Sequence, residues 1–76
     1  PPGGPADERP FRASCERQCA GSGGPQNLCV EACACTASRL KTLGLWSRNG
    51  EGRLDAAESR MVAAVASECV AKARRN

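Results

Sequence analysis

Six cysteines stand at positions 15, 19, 29, 33, 35 and 69 of a 76-residue chain, and their spacing limits the fold more than any other feature. An even count of cysteines in so short a chain points to a disulfide framework, and therefore to an oxidising compartment, secreted or periplasmic. Cys15 and Cys19 are four residues apart, as are Cys29 and Cys33. On a helix, residues at i and i+4 share one face, one turn above the other. The stretch "GSGGPQN" between the two pairs is a loop by composition. Two helices joined by it would pack antiparallel, with Cys19–Cys29 as the inner rung and Cys15–Cys33 as the outer. Cys35 follows Cys33 by two residues, so it points about 200° further round the helix, given ~3.6 residues per turn. It faces a third helix, on which Cys69 is the remaining cysteine. Of the fifteen pairings that six cysteines allow, we prefer 15–33, 19–29 and 35–69.

A single domain of this length buries a modest fraction of its surface and needs such staples. Phe11 and Trp46 are its only aromatic residues. Alanine, leucine and valine must therefore fill the core, which suits closely packed helices. The apolar pattern agrees: Met61, Val62, Val65, Ala66, Cys69, Val70 and Ala73 recur at helical spacing. No stretch alternates with period two over a useful length. The expected fold class is thus all-α, a three-helix bundle stapled by Cys15–Cys33, Cys19–Cys29 and Cys35–Cys69. Helix one covers "FRASCERQCA", with Pro10 suited to its first turn and Gly21 to its end. Helix two runs from about 26 to 46, with Gly44 as a weak point, and helix three from about 55 to 74. Residues 1–10, "PPGGPADERP", read as a flexible or extended arm, and 11–76 as one helical domain. If the protein is secreted, this is its mature form, and "PPGGP" would follow a processing site.

The pattern C-x3-C-x9-C-x3-C over residues 15–33 resembles the α-hairpinin family, small helical hairpins held by two bridges. The family's protease-inhibiting, antimicrobial and ribosome-inactivating activities do not follow from the spacing. Cysteines at i and i+4 in a helical bundle also resemble those of copper(I) storage proteins, whose thiolates face inward and select a soft metal. Those bundles are far richer in cysteine, and this chain has one methionine and no histidine.

The stretch "SRNGEGRLDAAE", residues 47–58, is similar to the twelve-residue calcium loop of EF-hand proteins, the calmodulin family included. That template takes ligands at loop positions 1, 3, 5, 7, 9 and 12, with glycine at 6 and a bidentate glutamate at 12. The resemblance assigns those places to Ser47, Asn49, Glu51, the Arg53 carbonyl, Asp55 and Glu58, with Gly52 at the turn. It implies calcium as a cofactor. Ser47 replaces the usual charged aspartate, and Arg48 and Arg53 add positive charge. The implied affinity is therefore no tighter than about 10⁻⁴–10⁻³ M. EF-hands also pair, so the second hand would come from a homodimer, or helix one would take its place. The alternative is a plain helix–helix turn made by Asn49, Gly50 and Gly52. Asp55 would then cap helix three, and Glu58 would sit in its first turn. A Cys35–Cys69 bridge demands nearly antiparallel helices, since its Cα atoms must lie within ~7 Å. It is incompatible with a calmodulin-like opening.

The absence of histidine removes the usual general base, and we expect no enzyme. A net charge of +3 is too mild to argue for nucleic acid. No apolar run approaches the ~18 residues of a membrane span. Lys72, Arg74 and Arg75 are ordinary partners for a helix C-terminus or, less favoured, contacts for an anionic surface. Trp46 is a core residue or, less favoured, a binding anchor. Two functional expectations remain. One is a disulfide-stabilised module with weak structural calcium. The other is a metal-independent stapled scaffold that binds another protein, such as a secreted ligand, toxin, inhibitor or accessory subunit.

Overall fold

The computed structural model describes residues 8–75, and among them every regular element is a helix: α1 (Glu8–Gly21), α2 (Gln26–Thr42), α3 (Trp46–Gly50) and α4 (Ala56–Arg75). The central element is α2, which packs against α1, α4 and α3. None of these helices is long and apolar enough to cross a membrane. The three expected bridges are present: Cys15–Cys33, Cys19–Cys29 and Cys35–Cys69 join Cα atoms 5.9, 5.6 and 5.7 Å apart. No cysteine is left free, so copper(I) has no thiolate to bind.

Two boundaries differ from expectation. Of the arm expected over 1–10, residues 1–7 lie outside the described residues, but Glu8, Arg9 and Pro10 already belong to α1. Pro10 is tolerated there because N–H groups of a first turn have no partner within the helix. The second difference is that four helices, not three, are present. Helix two stops at Thr42 instead of reaching Trp46, and a separate short helix, α3, begins at Trp46.

Gly44 is the cause. At φ +75° it occupies the left-handed region that glycine enters without steric cost. The Gly44 N–H donates to the Lys41 carbonyl (3.1 Å) and the Leu45 N–H to the Leu40 carbonyl (2.9 Å). This pair of bonds is a Schellman stop, which commonly brings together apolar residues on either side of the turn. Leu40 and Leu45 are accordingly both buried in one cluster. The same motif ends α3, with Gly52 at φ +69°. The Gly52 N–H donates to the Asn49 carbonyl and the Arg53 N–H to the Arg48 carbonyl. It also ends α1, where the Gly23 and Gly24 N–H groups bond the carbonyls of Ala20 and Cys19.

The early stop resolves the tension between the turn and the third bridge. Residues 43–55, with α3 among them, connect α2 to α4. That length lets the two helices run side by side with Cys35 against Cys69. The core lies at this end of the molecule. Ala37, Leu40, Leu45 and Trp46 are buried together, with Phe11, Leu54 and Val62 packed against them. The expected stripe on α4 is inward at Val65 and Cys69, whereas Met61 is exposed. No residue of α1 is buried. Its C-terminal end closes tightly on α2, because a Cβ at Gly24 would lie 2.9 Å from both the Cys19 and Cys29 sulfurs.

Candidate functional site

The segment 47–58 is built from the end of α3, a turn and the head of α4. Ser47 and Asn49 lie on α3, so the first part of the segment is helix. Glu51 caps the C-terminus of α3, and its carboxylate lies 3.5 Å from the Arg53 guanidinium. Gly52 makes the turn at the sixth position with its positive φ. At the head of α4, the Glu58 N–H donates to Asp55 Oδ1 (2.8 Å) and the Asp55 N–H donates to Glu58 Oε1 (3.1 Å). This reciprocal pair is a capping box, which satisfies N–H groups that a helix start leaves without partners. The second oxygen of Glu58, Oε2, accepts from Arg48 on α3. The Glu58 side chain is only 17 % exposed, whereas its partner Arg48 is 48 % exposed.

The structure thus brings Asp55 and Glu58 together and turns both on the chain itself. Ser47 and Asn49 make no side-chain hydrogen bond to that pair among the described residues. Arg48 supplies the positive charge that faces Glu58, and Arg53 does the same for Glu51. Among the described residues no group of three His, Cys, Asp or Glu side chains is placed to hold a metal ion. A bidentate glutamate is what the calcium template requires of Glu58, and here its two oxygens point to different donors. In this arrangement the residues do not fit a calcium ion.

Trp46 is 9 % exposed and lies in the core. Phe11 meets it edge-on at 5.2 Å between ring centroids, and Lys41 Nζ stands 5.0 Å from the ring centre. The ring is therefore used in packing α1, α2 and α3 together. Its Nε1 is buried with no hydrogen-bond partner among the described residues, a cost that the surrounding apolar contacts must offset.

Two features escape sequence reasoning. Arg48 and Glu58 are ten residues apart, and only the turn's three-dimensional course brings them together. Glu8 and Lys41, 33 residues apart, are joined by a hydrogen-bonded ion pair of 2.5 Å, with Arg12 also beside Glu8. The Lys41 hydrogen bond is the main reason the Glu8 carboxyl is held below its ordinary value of 4.5; partial desolvation opposes it, and the charges of Lys41 and Arg12 add to it. No local pattern announces either pair.

In comparisons with known proteins, no family model, curated protein or solved structure matches the chain.

Proposed function

We propose that this protein is a metal-independent, disulfide-stapled helical binding module, secreted or periplasmic, that presents a rigid surface to another protein and carries out no catalysis. The observation that carries this reading is the engagement of Glu58. One oxygen accepts from the Asp55 N–H and the other from Arg48, which leaves the turn electrostatically complete without an ion. Three bridges in so small a chain support the oxidising compartment, where such bonds persist. A stapled scaffold is well suited to binding, because it loses little conformational freedom on association.

Weak structural calcium is the second reading. It is favoured by the positive φ of Gly52 at the sixth loop position and by the adjacency of Asp55 and Glu58. It requires Glu58 to leave both of its present donors. A calcium titration followed by amide NMR separates the two, with magnesium and Glu58→Gln as controls. Flat spectra to several millimolar are expected. Saturable shifts at Gly52 and Glu58, lost in the variant, would replace the proposal with the calcium reading.

A further inference from the structure

Beyond the Cys35–Cys69 bridge, away from the Trp46 core, one recess lies between the start of α2 and the end of α4, and a second, shallower one lies on α4 alone, with Arg74 lining both. One, of about 380 Å³, is lined by Pro25, Leu28 and Ala73 together with Asn27, Glu31 and Arg74. The other, of about 350 Å³, runs along Ala66, Val70 and Ala71 and shares Arg74. Leu28 and Val70 are half-buried, so each recess has an apolar floor that water still reaches.

Basic residues without a carboxylate partner among the described residues gather at this end of α4, although Arg17 and Arg60 elsewhere lack one too. Arg12, Arg39, Lys41, Arg48 and Arg53 each pair with a carboxylate. Lys72, Arg74 and Arg75, all in the last turn of α4, have no carboxylate partner among the described residues. Glu31 is the one carboxylate lining the recesses. The first turn of α2 carries no acidic residue and no side-chain cap, so its partial positive charge adds to the same field. Basic residues at a helix C-terminus are favourable in themselves. That accounts for the charges, but not for the paired apolar recesses on either side of one of them.

We infer that this cleft docks an acidic, amphipathic peptide segment of a partner protein. Two apolar side chains of the segment fill the recesses, and a carboxylate between them bonds to Arg74, whose planar guanidinium suits it. Glu31 disfavours segments that carry a carboxylate at the α2 edge. The inference rests on the binding-module reading and names the surface and partner chemistry that reading leaves open.

The test uses the full chain, isotopically labelled, in buffer containing EDTA. It is titrated with a short capped peptide of alternating leucine and glutamate. Expected are saturable amide shifts at Leu28, Val70 and Ala73, with binding weakened about tenfold or more in Arg74→Glu, as loss of a charge-assisted bond implies. Arg74→Gln should weaken it in the same direction, and Arg17→Glu on α1 should leave it unchanged. Peptides with serine for leucine, or lysine for glutamate, should not bind. Saturable shifts confined to another surface would overturn the cleft while leaving the binding-module reading in place. Absence of binding, equal binding of the serine peptide, or Arg74-dependent binding to phosphatidylserine vesicles alone would each overturn the acidic-peptide assignment. The calcium titration tests the underlying reading separately, since its outcome does not depend on the cleft.

Discussion

The two helices that flank α2 are held to it by different means. Two disulfides tie α1, a helix that contributes no buried residue. One disulfide ties α4, which also sends Val65 and Cys69 inward and packs Val62 against the Leu40–Trp46 cluster. The sequences explain the contrast. Phe11 is the one large apolar residue of "ERPFRASCERQCAG", whereas α4 carries Met61, Val62, Val65 and Val70. Full burial of such a side chain contributes about 1.5–3 kcal/mol, so α4 can be held by packing in a way α1 cannot. Covalent closure takes the place of burial where burial is scarce.

That contrast can be broken at its most sensitive point, the single staple of the α4 side. Closing the 34-residue separation of Cys35 and Cys69 restricts the unfolded chain by about 4 kcal/mol in the chain-entropy account. Cys35→Ser with Cys69→Ser should be the most damaging change, read as a fall in the denaturation midpoint. Cys15→Ser with Cys33→Ser should cost less, because Cys19–Cys29 still holds the hairpin. The reverse order would show that the dependence of α1 on covalent closure outweighs the difference in loop length. Next comes the core: Leu40, fully buried, should lose roughly 3 kcal/mol as Leu40→Ala. Phe11→Ala should cost less, since Phe11 is only partly buried.

A smaller loss, on the order of 1–3 kcal/mol, is expected for Gly24→Ala, the size of a typical overpacking penalty. The new methyl would press on both sulfurs of the inner rung. An unchanged midpoint and normal formation of Cys19–Cys29 would show that the hairpin loop yields easily. The smallest effect concerns Glu8 and Lys41, which fasten the start of α1 to the end of α2. Because the Glu8 carboxyl is held below its ordinary value, the folded state takes up that proton less readily than the unfolded chain. Its contribution is present above the ordinary value of 4.5 and is lost as pH falls through the lowered one. Glu8→Gln should remove about 0.5 kcal/mol near neutral pH, typical of an exposed pair, and flatten that part of the acid-stability curve. Equal slopes for the two proteins would show the pair to be energetically idle.

The cysteine spacing was legible because helical periodicity converts sequence distance directly into direction. Two i, i+4 pairs and a 200° offset suffice to place all three bridges. The end of α2 was not legible in the same way. Leu45 and Trp46 continue an apolar pattern past Gly44, so the stretch reads as one helix with a flaw. Their burial is real, but it is achieved from a second helix after a Schellman stop. At five residues, α3 is also too short for periodicity to reveal. In the candidate site, the Asp55–Glu58 cap could be read from the D-x-x-E spacing. The Arg48–Glu58 pair could not, because it depends on how tightly the turn at Gly52 closes.

The nesting of the bridges bears on how the oxidised protein comes to have them. Cys19 and Cys29 are 10 residues apart, Cys15 and Cys33 18, and Cys35 and Cys69 34. Shorter loops close more readily, so the inner rung has the advantage, and forming it brings the outer pair into register on the same two helix faces. Once those four thiols are consumed, Cys35 and Cys69 have no competitor. With native pairing in the first two steps, the longest closure is made when only one partner remains.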